Sequence, residues 1–146
     1  MSSGGPLTGR DAELWDAWLA ASEALAQVTA DVARATGVSE PDLVVLAHLR
    51  DLGAGRARQS ALAGAMGWHR SRLSHHLRRM EERGLVTRTE APGGVDVSTT
   101  TMGRAALTRA RPVHADAVRR HLVELLPARD RERLLAMLHR ITDAAP

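Results

Sequence analysis

Residues 67–88 read GWHRSRLSHHLRRMEERGLVTR, a basic helix with one narrow apolar stripe that stops at Gly84 and runs into an extended segment. At 3.6 residues per turn, Leu73, Leu77 and Met80 fall at i, i+4 and i+7 and make one seam. Ser71, His75, Arg78 and Glu82 point away from it. From Arg70 to Met80 there are four arginines, two histidines and no acid, until Glu81 and Glu82 close the run. The seam must dock on a scaffold, and the opposite face must meet something polyanionic. Arginine suits that task because its planar fork donates two hydrogen bonds at once, to a phosphate or to the O6/N7 edge of guanine.

The residues just before complete a motif. Gln59 to Gly67, QSALAGAMG, gives a short helix carrying Leu62, Ala63 and Met66 and a tight turn at Gly67. Trp68 packs at the corner. Two helices so joined form a helix-turn-helix whose second helix enters the major groove. Gly84 sits where a left-handed C-terminal cap belongs. Leu85 to Glu90 and Val95 to Thr99 then alternate apolar and polar residues around Pro92-Gly93-Gly94, which predicts a hairpin. The predicted fold is mainly α with a small β wing, a winged helix-turn-helix. Its candidate DNA-binding residues are Gln59, Ser60, His69, Arg70, Ser71, Arg72, Ser74, His75, Arg78, Arg79 and Arg88, the last as a phosphate contact at the base of the wing.

The charge distribution agrees. The net charge is +3, but residues 1–55 hold three arginines against eight acids, or −5, while 56–83 hold seven against two, or +5. Residues 84–100 give −1, and 101–146 give nine minus five, or +4. Concentrated positive charge is the footprint a nucleic acid requires. The acidic start and basic end also fit helices that pack on one another, within a subunit or between two. All 20 basic residues are arginine, which reads as the codon bias of a GC-rich bacterial genome. With no cysteine, disulfides, thiolate metal sites and thiol redox sensing are excluded together. No apolar run is long enough to span a bilayer and no signal segment opens the chain, so a cytoplasmic protein is expected.

Outside the motif, residues 1–9 are small and polar and are expected to be disordered. Arg10 to Ala35 carries Leu14, Trp18, Ala21, Leu25, Val28 and Val32 at heptad spacing, and such seams face another helix. Gly37 ends this helix. Ser39 to Asp42 fits a capping box for a second helix through about Leu52, with Pro41 tolerated in its first turn. Gly53 to Gly55 is a turn, and Arg56 to Arg58 a candidate short strand against the wing. Thr100 or Thr101 caps a long helix reaching Leu126, with Leu107, Ala110, Ala117, Leu122 and Leu125 on its stripe and a bend expected at Pro112. Pro127 breaks it, and a last helix carries Leu134, Leu135, Leu138 and Ile141. No linker is visible, so one continuous body is expected.

This order of elements resembles the MarR family of bacterial transcription regulators over nearly the whole chain. SRLSHHLRRMEERGLV (71–86) is closely similar to a common subgroup of that family. Thr100-Thr101-Met102-Gly103-Arg104 is similar to the family's leucine-threonine-x-x-glycine-arginine entry into its fifth helix, with Thr100 read in place of the leucine. The resemblance implies a homodimer held by residues 10–36 and 101–146, with residues 37–100 as the winged helix-turn-helix of each lobe. It implies binding of double-stranded DNA at pseudo-palindromic sites, with half-sites about one helical turn apart. It also implies repression, and release by a small aromatic or phenolic ligand. One departure stands out: family wings carry an aspartate-x-arginine motif, and Glu90 to Asp96 here holds no arginine.

Trp15 and Trp18 are candidates to wall a ligand pocket, or simply to pack in a dimer core. His114 and His121 are candidates to face the same cavity. Two histidines without a carboxylate or cysteine at ligand spacing make no metal site, and neighbouring His75 and His76 cannot chelate. No cofactor is expected. No nucleophile elbow, phosphate loop, zinc-protease or paired-carboxylate spacing occurs, so the chain is not expected to be an enzyme. The alternative to a repressor is a winged-helix protein acting through protein contacts, or as a weakly specific architectural DNA binder.

Overall fold

The computed structural model describes residues 6–144; the stretch 1–5 of the expected disordered start lies outside the described residues. Of the rest of that start, residues 6–8 have no regular structure and Gly9 already begins the first helix. The elements run α1 (Gly9–Thr36), α2 (Glu40–Gly53), β1 (Arg56–Arg58), α3 (Gln59–Met66), α4 (Arg70–Glu82), β2 (Val86–Ala91), β3 (Gly94–Thr99), α5 (Thr101–Val118), a single wide π turn (Arg119–Val123) and α6 (Ala128–Asp143). They divide into two compact units, residues 31–114 and the two terminal stretches 1–30 and 115–146. The expected single body is thus two units without a linker, because α1 and α5 each run from one unit into the other.

The unit 31–114 is built on one apolar cluster. Leu46 and Leu49 of α2, Leu62 of α3, and Leu73, Leu77 and Met80 of α4 are all fully buried in it, with Val86 and Val97 closing it from the sheet. Each such leucine stabilises the fold by about 1.5–3 kcal/mol relative to exposure. The three seam residues of α4 therefore do what their spacing predicts. The capping box of α2 forms: the Asp42 N–H donates to Ser39 Oγ and the Ser39 N–H to the Asp42 carboxylate. At the end of α4, Gly84 takes φ +73°. Its N–H donates to the Glu81 carbonyl and that of Leu85 to the Met80 carbonyl, both at 2.9 Å, the paired bonds of a Schellman cap.

The three strands pair antiparallel in the order β1-β3-β2. Ala91 opposite Gly94 leaves Pro92-Gly93 as a two-residue turn, and Ala57 opposite Val97 sets the short strand against the wing. Thr100 caps α5: its Oγ1 accepts from the Gly103 N–H at 3.0 Å and donates to the Gly84 carbonyl. That corrects the register of the family match. The residue before the cap, Thr99, is the buried one and occupies the apolar position, while Thr100 is the capping threonine. Gly103 lies against the strand entry so closely that a Cβ would overlap the Leu85 carbonyl oxygen and stand 2.9 Å from Thr99 Cγ2. Pro112 is accommodated inside α5. A wide turn comes later, where the Glu124 N–H reaches back five residues to the Arg119 carbonyl at 2.8 Å.

The terminal unit differs in kind. Val28 and Ala117 are buried, but Leu14, Trp15, Trp18, Leu19 and Leu25 of α1 and Leu135, Met137 and Ile141 of α6 are exposed. No helix among the described residues is long and apolar enough to cross a membrane.

Candidate nucleic-acid interface

The structure sorts the seven arginines of residues 56–83 into two groups. Arg56 and Arg58 both pair with Asp96, at 2.6 and 3.2 Å. Arg83 grips Asp42 with two parallel hydrogen bonds of 2.7 and 2.8 Å. The remaining four, Arg70, Arg72, Arg78 and Arg79, have no carboxylate partner among the described residues; all are exposed, and all lie on α4. Their charge is available to an external anion.

The other candidates fall around them. His69, Ser71 and His75 are exposed; His69 Nδ1 lies 2.9 Å from Ser71 Oγ, and an Arg78 Nη2 donates to His75 Nδ1 at 2.9 Å. Ser74 is half-buried. Gln59, also half-buried, and exposed Ser60 open α3. With Arg70, Gly93, Gly94 and Val95 they line a cleft of about 240 Å³ between the two helix starts and the wing turn. Neither α3 nor α4 has a side-chain cap, so the first-turn N–H groups are free to meet phosphate oxygens. Arg88 has a partner that sequence did not reveal: Glu81 accepts from its backbone N–H at 2.7 Å and from its Nε at 3.0 Å. Those bonds, first of all the backbone one, hold the Glu81 carboxyl below its ordinary value. Arg88 thus ties the wing to α4, with less of its charge left for DNA than its position suggested.

Beneath the exposed face is a polar group that sequence reading missed. Asp42 is fully buried. Burial by itself would raise its carboxyl, but hydrogen bonds from Arg83 and Ser39 outweigh that and hold it below the usual range. His76, next to exposed His75, is buried; its Nε2 lies 3.1 Å from Asp42 Oδ1, a contact with the distance but not the alignment of a hydrogen bond. Desolvation lowers the imidazole below its ordinary value, against the pull of Asp42, and Arg79 and Arg83 add to the lowering. The only available signal was position: His76 is one residue before seam residue Leu77.

A family model for the MarR family matches residues 38–93, from the approach to α2 through the wing turn. AbsC, a MarR family transcriptional regulator from Streptomyces coelicolor, is 30% identical over 95% of this chain and 96% of its own, with a TM-score of 0.85. The chain belongs to the MarR family. Sco3205, another MarR family regulator of Streptomyces coelicolor, solved in complex with DNA, is 26% identical over 98% of this chain and 92% of its own, with a TM-score of 0.87. BpsR of Bordetella bronchiseptica, whose DNA binding is regulated by 6-hydroxynicotinic acid, shares the fold at 19% identity over 97% of this chain and 100% of its own, with a TM-score of 0.80. No curated protein sequence matches.

Against the MarR-family pattern, the wing tip from Glu90 to Asp96, without an arginine of its own, receives one from a neighbouring strand. Arg58 of β1 donates from Nη2 to the Pro92 carbonyl at 2.8 Å, in the wing turn itself, while its Nε holds Asp96. Trp15 and Trp18 are exposed on α1. His114 is half-buried, 3.7 Å from the Glu40 carboxylate, and His121 lies in the π turn. None of these four lines the wing cleft, nor a second cleft of about 330 Å³ within the unit 31–114, walled by Val38, Leu85, Met102 and Ala106 with Arg83 and Arg109 at its polar side. Among the described residues no three histidine or carboxylate side chains converge as metal ligands would.

Proposed function

We propose that this MarR-family protein is a homodimeric, sequence-specific repressor that lays α4 of each subunit in one major groove of a pseudo-palindromic operator. The observation that carries the reading is the set of four arginines on α4 without carboxylate partners among the described residues, while Arg83 and Arg88 each pair with a carboxylate and Arg56 and Arg58 share the single one of Asp96, which leaves one positive charge beside the wing. Charge of that kind is what phosphates and guanine edges take up. Ser71, Arg72, His75 and Arg78 are the base-reading candidates. Arg70, Arg79, His69, Ser74 and the start of α3 at Gln59 and Ser60 hold the backbone, and Arg58 supplies the cation of the wing. Exposed apolar residues on α1 and α6 support the dimer, because monomeric proteins rarely leave such surface uncovered. A small aromatic or phenolic effector releases DNA. Trp15, Trp18, His114 and His121 are its first candidate contacts, and the cleft at Arg109 is a second place for an acidic one.

Duplexes selected from a random pool, titrated against random-sequence DNA, test this. A selected site with two related halves about one helical turn apart, bound by two chains and with steep salt dependence, is expected. Equal affinity for selected and random duplexes would instead establish the weakly specific architectural binder.

A further inference from the structure

Trp68 does more than pack at the corner of the helix-turn-helix. The Arg72 guanidinium carbon lies 4.0 Å from the centroid of its indole. Trp68 itself is half-buried against the apolar cluster. Behind it, the ring of His76 meets the indole edge to face, with centroids 5.7 Å apart and an interplanar angle of 82°. His76 is in turn backed by Asp42 at 3.1 Å, and Asp42 is held by the two hydrogen bonds from Arg83. The exposed arginine thus stands on a column that reaches the interior. Of the other three free arginines of α4, only Arg79 touches that column, from the side, with Nη2 3.2 Å from His76 Nδ1.

We infer that Trp68 is a positioning residue for sequence recognition: it holds Arg72 flat, ready to read a guanine in the operator half-site. The inference rests on the reading of α4 as the DNA-recognition helix. The chemistry of the stack supports it. With its guanidinium carbon 4.0 Å over the indole centroid, Arg72 can stack by the face of its guanidinium, while bidentate recognition of guanine O6 and N7 uses the edge. Stacking therefore leaves the donors free and removes the rotamer freedom that an exposed arginine loses on binding. The position fits as well, since Arg72 lies in the first turn of α4 and the N-terminal residues of a recognition helix are those that meet base edges. A free arginine in solution would reach phosphate and base alike; one fixed on an indole is biased to a single geometry.

The test is a double-mutant cycle on the full-length protein, with the duplex selected by the wild type and a random duplex of equal length as probes. Arg72→Ala is expected to lower the ratio of selected to random affinity by roughly five- to a hundredfold, and to abolish the preference for guanine at one position of each half-site. Trp68→Leu, which keeps an apolar plug but has no π face, is expected to lower that ratio roughly two- to fivefold with random-DNA affinity unchanged. Trp68→Phe, which keeps an aromatic face, is expected to retain most of it. In the Arg72→Ala background neither change at Trp68 should matter further. If Trp68→Leu costs as much with alanine at 72 as with arginine, or if Trp68→Phe loses as much as Trp68→Leu, Trp68 is a packing residue and the inference falls while the recognition helix stands. If Arg72→Ala leaves the guanine preference intact, Arg72 does not read the base and the inference falls with it. If the wild type selects no sequence at all, it is the reading of α4 that fails. Should Trp68→Leu not fold, the cycle with Trp68→Phe and Trp68→His decides the same question.

Discussion

The two units of this chain treat the same kind of sequence pattern in opposite ways. In residues 31–114 every long apolar residue of the α4 seam is covered by the chain itself, with Leu73, Leu77 and Met80 at 0% exposure. In the terminal unit the heptad residues Leu14, Trp18 and Leu25 are 70%, 41% and 42% exposed, and Ile141 of α6 is 53% exposed. Of that heptad, Val28 is buried in the terminal unit, and Val32 already belongs to the apolar cluster of residues 31–114. A winged helix-turn-helix closes its core within one chain, whereas a heptad seam is complete only when a second helix lies against it. The first unit owes its stability to internal packing, and the second leaves apolar residues of α1 and α6 exposed, which the proposed dimer would cover.

Changes in the first unit should therefore act on a single chain, and the largest effect is expected at Gly103. Alanine there would drive its Cβ into the Leu85 backbone, which cannot yield as a flexible side chain would. A loss of about 3 kcal/mol or more in urea unfolding is expected. A loss under about 1 kcal/mol would mean that the α5 entry shifts freely.

Next in size is Asp42→Asn. It keeps the shape but removes the charge that faces Arg83 and His76, and about 2–3 kcal/mol should be lost, moderated because Arg83 is 44% exposed. The same group predicts a pH dependence. His76 is held below its unfolded value of 6.5, so its contribution is complete above that pH and declines as pH falls below it toward the folded value. Asp42 is held below its unfolded value of 3.8, so its contribution is lost at still lower pH. Thermal unfolding of the wild type should weaken in those two windows. In His76→Gln the first should vanish, and its persistence would place the titrating group elsewhere.

The second unit is tested by a charge on its exposed apolar face. Leu135→Asp together with Ile141→Asp should shift the sedimentation of the chain to that of a monomer and make unfolding independent of protein concentration. Leu135 and Ile141 are about half exposed in the single chain, so covering each in the proposed dimer would contribute about half of the roughly 1.5–3 kcal/mol of a full burial. The isolated winged-helix signals, such as protection of the α4 amides from hydrogen exchange, should survive. Collapse of both together would deny the two units their separate sources of stability.

The smallest expected effect separates free from paired arginines. Arg70→Ala should lower the dependence of log affinity on log salt by about one counterion in each subunit, since one phosphate is then left unneutralised. Arg88→Ala should change that slope less and stability more, because Glu81 already neutralises it. Equal slopes would mean that the pair opens on DNA.

Much of the first unit was legible in the sequence because its signals are local. The seam of α4, the capping box at Ser39, the glycine cap at Gly84 and the Pro92-Gly93 turn each depend on residues a few positions apart, and their spacing reports the backbone they need. The same local signals do not distinguish Thr99 from Thr100. Both are threonines, and only the bonds to Gly84 and Gly103 show which one caps the helix.

The sequence by itself determined that one helix would carry a cationic face and an apolar seam, and that a wing would follow. Tertiary structure alone decided which charges remain for a partner. Arg83 meets Asp42 across 41 residues, Arg58 meets the wing turn across 34, and Arg56 meets Asp96 across 40. An arginine in the sequence carries the same charge whether or not a carboxylate lies beside it. Only the folding that brings distant segments together neutralises some, leaves Arg70, Arg72, Arg78 and Arg79 to the solvent, and sets one of these four on the face of Trp68.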